Sequence, residues 1–282
     1  MTRRVALIGS PLSRRHSEVM HNAAFADLGI DACYELRPLS PDALSGFVAE
    51  ARGPAWLGFQ VTSPYKQDVL VHCDEIDPET AAIGAVNTVV RLEGGRLRGA
   101  NTDALGFLES VRTDLRLDLG GAAVAVAGAG GAARAVVAAC VRAGAERVTV
   151  AARRGGRASE VAEAAGETVE GLALESSAFA TVLGTVDLAV NATTVGMTAP
   201  GVVLDVALLR EGAAVFDLVY APAVTDLVAT ARKRGLAAVS GGGMLVAQAA
   251  AAFEMWTGIA GAGPVMAAAV APLLASGTGD AP

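Results

Sequence analysis

The segment Gly128-Ala129-Gly130-Gly131-Ala132-Ala133 reads G-x-G-x-x-A, between an apolar run, Ala122 to Ala127, and a helix-forming stretch that reaches Ala143. Its chemistry is anion binding by the main chain. The first glycine allows a tight turn, the second lets a pyrophosphate approach the backbone, and the small third residue lets helix and strand pack closely. N–H groups at the helix start supply the donors. The next apolar run, Arg147 to Ala151, leads into Ala152-Arg153-Arg154-Gly155-Gly156-Arg157. A chain that binds NAD usually places Asp or Glu at this strand end to hold the ribose hydroxyls. Here no acid is present, and three guanidinium groups suit a 2′-phosphate through charge-assisted forks. The expected cofactor is NADP. Its expected ligands are Gly128, Ala129, Gly130, Gly131 and Ala132, with Arg153, Arg154 and Arg157 on the phosphate.

Hydride transfer to a ketone also needs a proton donor for the developing alkoxide. His72 lies in a helix-like stretch without a polar motif and reads as structural. His16 and His21, in an early loop and helix, have no obvious partner in the sequence. Lys66 is the better candidate. It follows Thr62-Ser63-Pro64-Tyr65 directly after an apolar strand, where ligands of an α/β sheet bind. Lysine in a closed site can have its pKa lowered enough to shuttle a proton. Asn87 in Gly84-Ala85-Val86-Asn87-Thr88 and Asp103 in Asn101-Thr102-Asp103 are short polar residues at strand ends. That placement suits turns and substrate contacts alike.

The elements that must position these groups alternate. Strands are expected at Val5–Ile8, Cys33–Leu36, Leu57–Val61, Ala122–Ala127, Arg147–Ala151, Asp187–Val190 and Ala214–Leu218. Helices are expected at His21–Leu28, Pro41–Ala51 and Leu105–Leu115, and from Gly241 onward. Val86–Leu92 and Arg96–Gly99 flank Gly94-Gly95 as a hairpin. Alternation of this kind predicts an α/β chain with parallel sheets. Its 282 residues suffice for two modest domains, and 52% apolar against 18% charged residues argues against disorder. A net charge of −7 without a basic tail argues against nucleic acid as a partner. Cys33, Cys73 and Cys140 form no C-x-x-C pair, so neither a disulfide framework nor a metal site is expected. The apolar run after Met1-Thr2-Arg3-Arg4 is too short for a signal peptide, and no stretch reaches a membrane span. A cytoplasmic enzyme is the expectation.

Taken together, these segments resemble the shikimate dehydrogenase family over nearly the whole chain. The resembling pieces are Gly9–Phe25, Val61–Lys66, Gly84–Thr88, Gly99–Gly106 and Gly128–Ala135. Further on they are Asn191–Met197, Asp217–Pro222 and Gly243–Gln248. The resemblance implies an N-terminal α/β substrate domain, residues 1–103, completed by C-terminal helices within 240–282. It implies a Rossmann-type, doubly wound NADP-binding domain at 104–239. It also implies reversible reduction of 3-dehydroshikimate by NADPH, a step of aromatic amino acid biosynthesis, in a monomer or homodimer. By the same resemblance Lys66 donates the proton and Asp103 holds and tunes it. Thr62, Asn87, Tyr220 and Gln248 contact ring hydroxyls or carboxylate, and Ala192, Thr193 and Gly243 lie by the cofactor.

The chain departs from the family pattern at the substrate end. Counted without gaps, Arg14 and Arg15 replace His-Ser, Ser17 is kept, Glu18 replaces Pro, and Gln60 stands where Asn is common. Arg15, Ser17 and Gln60 are therefore expected substrate contacts of altered reach, which admits a related carbocyclic acid such as quinate or an amino-shikimate. The alternative is a catalytically silent NADP-binding module. In that reading the altered Arg14-Arg15 region would mark lost turnover.

Overall fold

The short apolar runs fold as strands and the alanine-rich stretches between them as helices. The computed structural model describes residues 2–197 and 200–276. These divide into two units, one made of the chain to Thr102 with Val246–Leu273, the other of Asp103–Leu245 with a short piece from Leu274.

In the first unit β1 (Arg3–Gly9), α1 (His16–Asp27), β2 (Ala32–Pro38), α2 (Leu44–Ala51), β3 (Trp56–Val61), β4 (Glu75–Ile76), α3 (Pro78–Ile83), β5 (Thr88–Arg91) and β6 (Leu97–Ala100) follow in turn. Their sheet has the order β2-β1-β3-β5-β6-β4. β1 is parallel to β2 and β3, but β5 is antiparallel to both β3 and β6. The expectation of a parallel sheet is corrected here to a mixed one. A tight hairpin such as β5–β6 can join only antiparallel strands, because parallel neighbours need a long crossover.

The second unit contains α4 (Asp103–Asp114), β7 (Ala123–Ala127), α5 (Gly131–Arg142), β8 (Arg147–Ala152), α6 (Gly155–Ala165), β9 (Val169–Ala173), α7 (Ser177–Leu183), β10 (Leu188–Asn191), β11 (Ala214–Asp217), α8 (Asp226–Lys233) and β12 (Ala237–Ser240). α9 (Gly242–Thr257) and α10 (Gly263–Ser276) complete the chain. The second sheet is parallel throughout, in the order β12-β11-β10-β7-β8-β9. Counted from its own first strand this is the doubly wound dinucleotide-binding order, with its switch point between β7 and β10. Buried Ala125, Ala127, Ala189 and Val215 pack with Phe179, Leu183 and Leu227 as its core.

The first unit buries aromatic residues in two clusters. In one, Phe47 meets Trp56 and Phe59 edge-on, with ring centres 5.4 and 5.2 Å apart. In the other, His21 stacks on Tyr34 at 4.5 Å, with Phe253 and Trp256 of α9 beside it. Trp256 Nε1 donates to the Val89 carbonyl at 3.0 Å. A side chain at Gly58 would collide with both groups, so this glycine is needed for α9 to seat on the sheet. α1 starts a turn earlier than expected, and His16 is its first residue, not part of a loop. The buried stripe His16, Met20, Ala24 advances by four residues at a time, and His16 extends it.

His21 is fully buried, and burial pushes its pKa down to about 3 against a weaker upward pull from Gln60. The folded chain therefore holds the neutral ring, whereas the unfolded chain protonates near the ordinary 6.5. Stability is expected to fall as pH drops below about 6.5, by about 1.4 kcal/mol per unit at most for this one proton, until about 3. His21→Phe keeps the ring stack and removes that slope. Urea denaturation across the acid range measures the difference.

Candidate active site

In the second sheet Ala127 pairs with Ala151 and with Asn191, and Asn191 with Asp217. The loops after β7, β8, β10 and β11 therefore leave from one line. Gly128 turns away with φ +123°, and its N–H donates to the Ala151 carbonyl at 2.8 Å. A Cβ there would lie 2.7 Å from the Ala192 oxygen, so only glycine lets the two loops meet. Gly130 precedes α5 in an extended conformation, and no side chain caps the helix. A Cβ on Gly130 would meet nothing within 4 Å. Gly131 and Ala132 begin α5, whose first N–H groups have no partner within the helix. Ala133 is fully buried, as close helix–strand packing requires. Open space and outward amides together fit a pyrophosphate. After β8, Arg153 and Arg154 are exposed and Arg157 lies in the first turn of α6, also exposed. Three solvated cations without an intervening acid fit a further phosphate.

Ala192 and Thr193 are held from below. Asn191 Oδ1 accepts from the Thr193 N–H at 2.9 Å and from its hydroxyl at 2.7 Å. Asn191 Nδ2 donates to Asp217 Oδ1 at 2.9 Å. The Asp217 carboxylate also accepts from the Val219 N–H at 3.0 Å and from the Thr225 hydroxyl at 2.6 Å. One buried carboxylate thus ties the Ala192-Thr193 loop to the segment that carries half-buried Tyr220. Burial pushes the Asp217 carboxyl up, and its three donors oppose that shift.

In the first sheet Gln60 pairs with Thr88, and Thr88 with Ala100. Thr62, Lys66, Asn87 and Thr102 lie just beyond these positions. The Lys66 carbonyl accepts from the Val86 N–H at 2.7 Å, and the Asn87 N–H donates to Ala100 at 3.1 Å. Buried Tyr65 donates to the Leu39 carbonyl at 2.7 Å, which pins the residue before Lys66. A side chain at Gly9 would strike Thr62, so the end of β1 must be bare for Thr62 to sit there. Asn87 Oδ1 accepts from the Thr102 N–H at 2.7 Å, and its Nδ2 donates to Thr102 Oγ1 at 3.0 Å. Gln60 and Gln248 are both buried, and Gln60 Nε2 donates to Gln248 Oε1 at 2.9 Å. Lys66, Thr62, Asn87, Gln60 and Gln248 are therefore residues of one unit, gathered by one sheet edge and α9. Asp103 belongs to the second unit, as the buried first residue of α4.

Three further expected residues are placed as follows. Arg15 precedes α1, half exposed, and its Nε binds Glu18 Oε2 at 2.5 Å. Ser17 lies half-buried in the first turn of the same helix. Gly243, expected at the cofactor, lies near the start of α9, where a Cβ would strike the side chains of Ser110 and Asp114. Sequence reasoning missed Tyr34, Thr102 and Asp217. Both Thr102, next to Asp103, and Asp217, three residues before Tyr220, stand inside recognised motifs. Nothing in the sequence around Tyr34 marks it. Among the described residues no group of His, Cys, Asp and Glu gathers that could hold a metal ion, and no helix is long and apolar enough to cross a membrane.

Residues 7–89 match the family model described as the shikimate dehydrogenase substrate binding domain. Residues 110–208 match that of shikimate/quinate 5-dehydrogenase, and residues 241–270 match the shikimate 5′-dehydrogenase C-terminal domain. An NADP(+) shikimate dehydrogenase of a Geobacter species is 43% identical over 263 residues, covering 91% of this chain and 90% of that protein. Shikimate 5-dehydrogenase of Thermus thermophilus, solved with NADP(H) and shikimate, has a TM-score of 0.86 at 39% identity, covering 96% of this chain and 99% of that one. Quinate dehydrogenase of Corynebacterium glutamicum, solved with NAD, has a TM-score of 0.88 at 31% identity, covering 96% and 99%.

The glycine turn separates two effects. Gly128→Ala must move the Ala192 carbonyl and strain the backbone, and is expected to cost roughly 3 kcal/mol of stability. Gly130→Ala meets open space. It is expected to change stability by less than about 1 kcal/mol and to weaken dinucleotide binding at least about tenfold. Asp217→Ala leaves three buried donors without their acceptor, a loss of about 3 kcal/mol. Urea melts and a fluorescence titration with NADPH distinguish the three variants.

Proposed function

The chain belongs to the shikimate dehydrogenase family, and from that membership we propose that it catalyses the NADP-dependent interconversion of 3-dehydroshikimate and shikimate. The observation that carries the reading is the sheet edge where Thr62, Lys66 and Asn87 are fixed by main-chain hydrogen bonds. It accompanies a dinucleotide turn on the doubly wound sheet order. The Geobacter relative's NADP(+) specificity and the Thermus complex with NADP(H) and shikimate support the same cofactor and substrate.

When bound, NADPH supplies hydride to the carbonyl carbon. Lys66 donates the proton to the oxygen that becomes the new hydroxyl, and takes it back in the oxidative direction. Asp103 is its acidic counterpart in the family's lysine–aspartate pair. Thr62, Asn87, Tyr220 and Gln248 bind ring hydroxyls or carboxylate, and Gln60 stands beside Gln248. Ser17 and Arg15 serve the carboxylate end, where a guanidinium brings charge and longer reach than a serine. The amides of Gly128 to Ala132 hold the pyrophosphate, and Arg153, Arg154 and Arg157 hold the 2′-phosphate. Ala192, Thr193 and Gly243 lie by the nicotinamide end. Residues 1–103 with the C-terminal helices act as the substrate domain, and 104–239 as the cofactor domain. The working form is a cytoplasmic monomer or homodimer whose partner is a small carbocyclic acid, without nucleic acid. No observation favours a silent cofactor-binding module, which would have no use for Lys66 and Asp103.

Absorbance of NADPH formation with shikimate, quinate and their analogues tests the reading, and absence of turnover with every ring acid at high enzyme concentration would sink it. Lys66→Ala is expected to lower kcat by about 10²–10⁴-fold with a much smaller rise in KM. Arg153→Ala is expected to raise KM for NADPH about tenfold while leaving KM for NADH nearly unchanged. Steady-state kinetics with both cofactors measures each effect.

A further inference from the structure

An amide side chain is a donor at one end and an acceptor at the other, and its surroundings decide which way it turns. A backbone N–H can only donate. That of Thr102 binds Asn87 Oδ1 at 2.7 Å, so Asn87 Nδ2 is the end that donates to Thr102 Oγ1 at 3.0 Å. Having accepted there, the Thr102 hydroxyl has its own proton to give. Its nearer acceptors are Asn87 Oδ1 and Thr88 Oγ1, each at 3.2 Å, and Gln248 Oε1 lies farther off at 3.5 Å. Gln60 Nε2 donates to that same oxygen at 2.9 Å. Gln60 Oε1 in turn accepts from the Tyr34 hydroxyl at 2.6 Å. His21, stacked on Tyr34 and next to Gln60, is held neutral by burial and brings no charge to this chain of bonds.

We propose that Tyr34 and Gln60 are positioning residues that turn the Gln248 amide oxygen inward and its Nε2 toward substrate, so that Gln248 acts as a hydrogen-bond donor and selects a ring oxygen that accepts. The proposal rests on the reading of Gln248 as a substrate residue. It also gives Gln60 a different part from a direct contact, because both ends of its amide are engaged inside the unit. Asparagine at this position is one methylene shorter and cannot reach as far toward Tyr34 and Gln248. The glutamine links β2, β3 and α9 with one side chain.

Gln60→Glu replaces the donating end with an acceptor. It keeps the bond from Tyr34 and turns two oxygens against each other at Gln248, which must then reverse its amide. This variant is expected to raise KM for shikimate about tenfold and to change kcat less than about twofold. Tyr34→Phe removes only a hydroxyl and is expected to raise KM about threefold to fivefold. Calorimetric titration of the cofactor-free chain with shikimate should give the same ratios in Kd. The decisive measurement is a double-mutant cycle with Gln248→Ala, because groups that act through one residue are not additive. In the Gln248→Ala background, Tyr34→Phe should leave KM and Kd unchanged. The same threefold to fivefold rise in that background overturns the proposal while leaving Gln248 as a substrate residue. An unchanged KM in Gln248→Ala alone overturns that reading, and this proposal with it.

Discussion

The polar interior of each unit takes its sense from a backbone N–H that cannot reverse. In the first unit the Thr102 amide orients Asn87, and in the second the Thr193 amide orients Asn191. In both, the asparagine stands at a strand end, spends its oxygen on the main chain and passes a donor onward. An unsatisfied buried polar group costs about 1–3 kcal/mol, so each link constrains the next. Asn87 and the Ala192-Thr193 loop, both proposed to face ligand, are held through these two amides. That is why the strand register matters: Gln60, Thr88 and Ala100 in one sheet and Ala127, Asn191 and Asp217 in the other must end level before any side chain can be shared.

The two networks differ in charge. The first unit uses neutral groups only, from Tyr34 through Gln60 and Gln248 to Asn87 and Thr88, and even its buried histidine is kept uncharged. The second ends on a carboxylate. A buried charge is tolerated where several donors converge on it, and Asp217 receives three. A neutral acceptor in its place would leave a donor weakly bound. The carboxylate gathers the Asn191, Val219 and Thr225 segments onto one point, which a lone amide oxygen has too few lone pairs to do well. The glycines act in the opposite sense. Gly58, Gly128 and Gly243 are places where a neighbour occupies the volume a side chain would take.

Local features were legible in the sequence because their causes are local. Gly128, Gly130 and Ala133 lie within six residues and announce a strand–turn–helix, and the loss of an acid after β8 needs only the next strand end to be found. The alternation of strands and helices gave the α/β class, and Gly94-Gly95 gave the β5–β6 hairpin, although the mixed sheet it imposes was not drawn from it. Val169–Ala173 and Ala237–Ser240 escaped because short strands with a glycine or several alanines carry little β signal. The network around Gln60 was not legible at all. Tyr34, Gln60 and Gln248 come from β2, β3 and α9, with 188 positions between the two glutamines, and only the folded sheet brings them together. Gly243 stood in a recognised motif, and the structure adds that a Cβ there would strike the side chains of Ser110 and Asp114.

Arg15 and Glu18 are best understood as one change. A guanidinium just before α1 sits at the positive end of the helix dipole, an unfavourable place for a cation. Glu18 supplies an anion in the first turn, where that dipole welcomes one, and binds the Arg15 Nε directly. Proline at position 18 would have offered neither the charge nor the bond. The pairing also raises the Arg15 pKa above its ordinary value, with the hydrogen bond that Arg15 donates to Glu18 as the leading cause. The departure at the substrate end is therefore internally compensated. A cation was admitted where a small hydroxyl is usual, and the helix that carries it acquired the counter-charge needed to keep it.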